Sequence, residues 1–259
     1  MNTLNVSDKL KGKRVLVTAG AQGIGKAISE AFIMAGAHLV IHYFSNEQAA
    51  LKLVSLAHEK HLKAAALQAD LSKPEQSEKL VLDSIKSLGG LDILVNNAGS
   101  IIERRALERV DPQYWNNTFN LNLSSAQFVT QAAVQEMAKN SNSSIVNIAS
   151  LAGRKGGHPG SLAYSTAKGA LLTWTRALAN EVADRNIRVN AVAPGFILGT
   201  SFHASHTTQE SANETIRSIP LKKAGAPQDV ARAVLFLASE YDGFITGATL
   251  DINGGVYGC

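Results

Sequence analysis

Cysteine is nearly absent from this chain, whose one thiol is Cys259, the last of 259 residues. An intrachain disulfide is therefore excluded. No apolar run reaches the ~18 residues of a membrane-crossing helix. The segment Met1 to Leu10 is polar and has no apolar stretch of the kind a secretory leader carries. The expectation is a cytoplasmic protein with no membrane association. Charge of one sign is also scarce, the formal excess being +4. Lys and Arg are scattered and form no basic arm, which argues against a nucleic-acid partner and allows anionic small molecules. His58 and His61 have the i, i+3 spacing of a helical metal pair, but no third ligand is evident. A solvated helix face is expected there, and no metal.

Hydrophobic residues make up 45% of the chain and charged residues 18%. That composition supports a large core. Short apolar runs alternate with helical patterns. Strands are expected at 14–18, 39–43, 64–68, 91–95, 144–149, 187–192 and 249–252. Helices are expected at 23–35, 46–60, 74–88, 162–184 and 227–239, with a long, interrupted one over 111–140. Seven strands alternating with helices predict an α/β, doubly wound, Rossmann-type domain. Its seven-stranded parallel sheet would carry helices on both faces. No repeat, linker or shift in composition divides the chain, so residues 1–259 are read as one domain. Ligands of such sheets bind beyond the carboxyl ends of the strands. The turns after Val17, Val95, Ala149 and Val192 therefore share one rim.

The first of these turns reads Thr18-Ala-Gly-Ala-Gln-Gly-Ile-Gly25 and runs into a helix. Small residues let the backbone approach a pyrophosphate, and a helix N-terminus offers free N–H groups and partial positive charge. Further on, Tyr164 and Lys168 stand four residues apart, on one face of an expected helix. An ammonium beside a phenol stabilises the phenolate, so a lowered Tyr164 pKa is expected. Taken alone, this spacing does not distinguish a tuned pair from two ordinary helix residues.

The order of the motifs does more. The glycine turn resembles the Thr-Gly-x-x-x-Gly-x-Gly turn of the short-chain dehydrogenase/reductase family. Asn96-Asn-Ala-Gly99, Asn122, Ser150, Tyr164 with Lys168, Pro194-Gly195, Ile245-Thr-Gly247 and Asp251-Ile-Asn-Gly-Gly255 follow in that family's sequence. The resemblance spans residues 10 to 257. It implies an NAD(P)(H)-dependent oxidoreductase that interconverts a carbonyl and an alcohol. Tyr164 would be the proton donor or acceptor, and Lys168 would tune it and bind the nicotinamide ribose. Ser150 would bond the reacting oxygen, and Asn122 would hold a water that links Lys168 to solvent. Implied cofactor contacts are Thr18, Gly20, Gln22, Gly23, Ile24, Gly25, Tyr43, Ser45, Asn46, Asp70, Leu71, Asn97, Ala98, Gly99, Tyr164, Lys168, Pro194, Gly195 and Ile197. Asp70 would accept from the adenine amino group.

Two departures from the pattern stand out. Ala19 takes the place of the turn's first glycine, and Gly199, followed by Thr200, takes the place of a nicotinamide-side threonine. Tyr43, at the end of the second strand, is neutral where an acidic residue would repel a 2′-phosphate. NADP(H) is therefore expected over NAD(H), with Ser45 and Asn46 as neutral donors and no metal. Ile101, Ile102, the 154–159 loop and the polar 198–217 segment, read as a lid, are expected to face substrate. Arg104, Arg105, Arg154, Lys155, His158, His203 and His206 give this rim a basic tendency. The expected substrate is a small polar or anionic carbonyl. The Ser-Phe-His-Ala run and the Asp-Ile-Asn-Gly-Gly ending resemble family members that reduce keto-uronates. The alternatives are a 3-oxoacyl carrier-protein reductase and a non-catalytic dinucleotide-binding regulator. The resemblance also implies a homo-oligomer, a tetramer or a dimer.

Overall fold

Seven strands pair in parallel in the order β3-β2-β1-β4-β5-β6-β7 in a computed structural model that describes residues 6–199, 209–239 and 243–258. The strands are β1 (Arg14–Val17), β2 (His38–Tyr43), β3 (Ala64–Gln68), β4 (Ile93–Asn96), β5 (Ser143–Ile148), β6 (Ile187–Pro194) and β7 (Thr249–Ile252). The helices are α1 (Gly23–Met34), α2 (Glu47–Glu59), α3 (Pro74–Leu88), α4 (Pro112–Phe119), α5 (Ser125–Met137), α6 (Leu151–Lys155) and α7 (Leu162–Val182), then α8 (Gln209–Ser218) and α9 (Pro227–Ala238). The sheet and its flanking helices match the doubly wound architecture expected from the sequence.

Both faces of the sheet are covered, which is why the strands read as nearly continuous apolar runs. Alternate residues serve opposite cores. Val15, Val17, Leu39, Ile41, Ile93, Val95, Val146 and Ile148 pack with α1, α2 and α9. Leu16, Val40, Leu94, Ile145 and Val189 pack with α3, α5 and α7. The second face carries a buried polar chain. Asn96 donates to Thr130 Oγ1 (3.0 Å) and Asn147 Oδ1 (2.9 Å), and Asn147 donates to Thr175 Oγ1 (2.9 Å). Asn96 and Asn147 stand side by side in the register of β4 and β5.

The long helix expected over 111–140 is divided. Asp111 caps α4 by accepting from Tyr114 N (2.7 Å). A π-helical turn then spans Asn120–Ser124 before α5 begins. Such widened turns tend to occur where a side chain or backbone group is put to use, and Asn122 lies in this one. The strand order reverses at β1, which sits between β2 and β4. A crevice opens there at the carboxyl ends of the strands.

Candidate active site

The turn between β1 and α1 forms one wall of the crevice. Thr18 faces inward: its Oγ1 accepts from Asn97 N (2.8 Å) and Ala98 N (2.9 Å) and donates to Val95 O (3.3 Å). Asn97 replies by donating to Thr18 O (3.0 Å) and Ala19 O (3.1 Å). Thr18 and Ala98 therefore lock the β1 and β4 turns together rather than line the opening. Gly20 is similarly internal, since a Cβ there would stand 2.8 Å from Ser29 Oγ. Gly25 is required for a different reason: a Cβ would lie 2.1 Å from Ala19 O, so only glycine lets α1 begin so close to the turn. Gln22 precedes α1 without a side-chain cap. The first-turn N–H groups of α1 are thus left to a ligand, and these residues fit a dinucleotide pyrophosphate.

One residue of this wall escaped the sequence reading. His42, the next-to-last residue of β2, is 2% exposed. Its Nδ1 accepts from Ala19 N (2.8 Å), and its Nε2 donates to Ala69 O (3.0 Å). Burial, opposed by the Ala69 bond, pulls its pKa down to about 4, so the ring is neutral at neutral pH. A histidine inside an otherwise apolar strand covered on both faces was the available signal.

The opposite wall carries Ser150, Tyr164 and Lys168. Ser150 follows β5 and caps α6, its Oγ accepting from Ala152 N (3.1 Å). Tyr164 and Lys168 lie on the first turns of α7. Gly153 brings α6 against α7: a Cβ on it would stand 2.6 Å from the Lys168 carbonyl carbon. Lys168 is 3% exposed and donates to Ile148 O (2.8 Å). Burial draws its pKa down to about 8. Asn122 donates to Ser100 O (2.8 Å) and Thr118 O (2.9 Å). Its Oδ1 is buried and accepts no hydrogen bond. That oxygen and Lys168 Nζ both lie 2.8 Å from where a Gly99 Cβ would be, so Gly99 leaves the space between them open. An orphan buried acceptor beside an ammonium suits a bound polar group.

The expected fall in the Tyr164 pKa is not found. Burial raises it, and the Ser150 hydroxyl, which pulls the other way, only offsets part of the rise. The Lys168 ammonium stands 5.9 Å from the Tyr164 ring centroid and is engaged with the Ile148 carbonyl. At that distance the ammonium is a weak partner for the phenol, and desolvation wins.

Gln22, Gly23, Ile24, Gly25, Asn97, Gly99, Ser150, Tyr164, Lys168, Pro194, Gly195 and Ile197 all line one cleft of about 760 Å³, as do Arg104, Lys155 and His158. Asn122 backs it from within. Tyr43, Ser45, Asn46, Asp70 and Leu71 are not among its lining residues. Tyr43 donates to Glu47 Oε1 (3.1 Å), and Asn46 caps α2 through Ala49 N (3.2 Å). Asp70 Oδ1 accepts from the amide and the hydroxyl of Ser72 (3.0 and 2.7 Å). Leu71 is part of the core beside α3, and Ser45 is exposed.

Two rim cations have other roles. Arg154 pairs with Asp251 through Nε and Nη2 (3.1 Å each) and stacks over Tyr257. Arg105 binds Glu103 and Asp111 and covers the Tyr114 ring. Ile101 lines the cleft, whereas Ile102 points away, 48% exposed. Of the expected lid, 209–218 form α8, and Ser211, Thr215 and Ser218 face the cleft. Thr200, Phe202, His203 and His206 lie outside the described residues. His58 is tied to the Ala64 carbonyl (3.3 Å), and His61 occupies a left-handed turn position, φ +58°.

A family model described as enoyl-(acyl carrier protein) reductase matches residues 18–257. The 3-oxoacyl-[acyl-carrier-protein] reductase of Aquifex aeolicus is 37% identical over 249 residues, covering 96% of this chain and 99% of its own. A short-chain dehydrogenase from Burkholderia cenocepacia, solved with NADP, superposes with a TM-score of 0.89 at 31% identity, covering 96% and 99% of the two chains. An NADH-dependent reductase responsible for alginate metabolism superposes with a TM-score of 0.88 at 30% identity, covering 98% and 100%. The family model spans nearly the whole chain and the relatives match it end to end, and on these grounds the chain belongs to the short-chain dehydrogenase/reductase family of oxidoreductases.

Proposed function

We propose that this chain is an NADPH-dependent reductase of small anionic carbonyl compounds, such as sugar-derived keto acids of the keto-uronate class. The observation that carries this reading is the placing of Arg104, Lys155 and His158 around the cleft that holds Ser150 and Tyr164. The Arg104 and Lys155 cations on the wall of a partly desolvated cleft, with the His158 imidazole beside them, favour a carboxylate-bearing substrate. The glycine turn, Asn97 and Gly99 would hold the dinucleotide, and when bound it supplies the hydride. The protein's own part is placement and a proton. Tyr164 carries its proton at neutral pH, as a phenol ordinarily does, and would donate it to the carbonyl oxygen, a transfer that burial opposes by raising its pKa. Ser150 donates to the same oxygen as charge develops there. Lys168 supplies positive charge behind Tyr164, and Asn122 holds the π-helical turn against Ser100.

The neutral Tyr43 at the end of β2 supports NADPH. Glu47, bonded to Tyr43, brings a carboxylate to the same strand end and supports NADH as the second reading. Likeness to the Aquifex reductase likewise supports a 3-oxoacyl thioester as second substrate. We also take the active form to be a homo-oligomer, a tetramer. One experiment separates these readings: absorbance decay of NADPH and of NADH, each crossed with keto-uronates, neutral sugars and acetoacetyl thioesters. Turnover of keto-uronates with NADPH is expected. Turnover confined to the thioesters, or to neutral sugars, would refute the anionic-substrate reading.

A further inference from the structure

Ala19 adopts a left-handed backbone, φ +48°. A residue with a Cβ is strained there by roughly 1–2 kcal/mol, so something must hold it. The structure brings His42 to that position twice. Its main-chain carbonyl accepts from Gly20 N (2.8 Å), and its ring Nδ1 accepts from Ala19 N (2.8 Å). One residue thus satisfies two consecutive N–H groups at the head of the glycine turn. The other ring nitrogen donates to Ala69 O (3.0 Å), the carbonyl just before Asp70 at the end of β3. The ring is buried and has one defined tautomer, because a donor lies at one nitrogen and an acceptor at the other.

We infer that His42 is a positioning residue for the dinucleotide, bracing the phosphate-binding turn at Ala19 against the β3 end at Ala69 so that the two stand at a fixed separation. This rests on the reading of the cleft as a dinucleotide site. The physical logic is that a turn already held in its binding geometry need not be ordered when the ligand arrives. A variant without the brace leaves Ala19 N–H without an acceptor inside the protein, and the strained turn relaxes. The nicotinamide end is on the far wall, at Ser150 and Tyr164, and keeps its geometry. The signature is therefore weaker dinucleotide binding with an unaltered chemical step.

Three variants dissect the brace. Asn places Oδ1 where Nδ1 stands and keeps the acceptor for Ala19. Gln can keep a donor toward Ala69. Leu removes both. NADPH and NADH binding is measured by quenching of protein fluorescence, amide exchange at Ala19 and Gly20 in the free protein, and kcat at saturating dinucleotide. We expect H42L to weaken binding about tenfold or more, with kcat within about twofold and faster exchange at Ala19; tenfold corresponds to about 1.4 kcal/mol. H42N should bind within about threefold of the parent, and H42Q should resemble H42L at Ala19. Parent-like binding by H42L overturns the inference, as does an H42N variant that loses as much as H42L. Should H42L fail to fold, the comparison of H42N with H42Q decides by the same criterion. A parent protein that binds neither dinucleotide overturns the cofactor reading itself, and the brace with it.

Discussion

Lys168 is held at a cost to folding, and the cost can be measured. Its pKa falls from 10.5 to about 8 because the ammonium is buried. Each pKa unit corresponds to 1.36 kcal/mol of differential interaction, so the folded state carries about 3 kcal/mol of penalty while the lysine is charged. The unfolded chain binds this proton more tightly. Stability therefore rises with pH across the window from about 8 to 10.5, and the full penalty is present below it. The Lys168→Met variant removes the charge at similar volume and also forfeits the bond to Ile148 O, worth about 1 kcal/mol. The net gain at pH 7 is about 2 kcal/mol, or roughly 4–8 °C in Tm for a chain of this size. Thermal unfolding of the cofactor-free parent and variant, followed from pH 6 to 10.5, is the assay. The variant should be more stable and inactive at pH 7, and its advantage should vanish by pH 10.5. A variant that is less stable at pH 7, or whose advantage does not change with pH, would refute the desolvation argument.

Other perturbations test other parts of the site. Tyr164→Phe should reduce turnover by at least about 10²-fold while NADPH binding stays within about twofold, measured by initial rates and fluorescence titration. Gly153→Ala should push α6 off the Lys168 backbone, where the new Cβ would lie 2.6 Å from the carbonyl carbon; kcat/KM should fall about tenfold or more, since displacement of a reacting group by about 1 Å is costly. His42, whose folded pKa is about 4 against an ordinary 6.5, should make the protein lose about 3 kcal/mol as pH falls from 6.5 to 4; denaturation of H42N over that range should show a shallower loss. Asp251→Asn should cost about 1–3 kcal/mol by leaving the half-buried Arg154 without its carboxylate; a urea midpoint unchanged from the parent would contradict this.

The sheet was legible because a parallel strand covered on both faces is an apolar run, as Leu39-Val-Ile and Ile145-Val show. The glycine turn and the Ser150, Tyr164 and Lys168 set were legible because their spacing along the chain is fixed by strand–turn–helix geometry. Distance between side chains was not. Tyr164 and Lys168 are neighbours by periodicity, yet the ammonium reaches past the ring to a strand carbonyl, so the phenol pKa moves opposite to expectation. Arg154 reads as a rim cation until Asp251, 97 residues away, is brought beside it. Asn46 and Asp70 read as ligand contacts, and the bonds their short polar side chains also make to the groups around them were not foreseen. An interruption of the 111–140 helix was expected, but its form as a widened turn at Asn120–Ser124 was not, since the residues of such a turn are those of an ordinary helix.

The position of β1 at the reversal of strand order has a further consequence, for how the chain first assembles. β1 gains β2 as a neighbour soon after synthesis, but its other edge pairs with β4. Arg14 and its β4-side partner Asp92 are 78 residues apart in sequence. At ribosomal rates that edge waits roughly 4–16 s for its partner. During this interval the nascent unit β1-α1-β2-α2-β3 exposes, besides the β3 edge that stays open in the finished sheet, the β1 edge beside the apolar side chains of Val15, Leu16 and Val17. The strand that leads into the glycine turn is thus an uncovered edge of the emerging chain until β4 arrives.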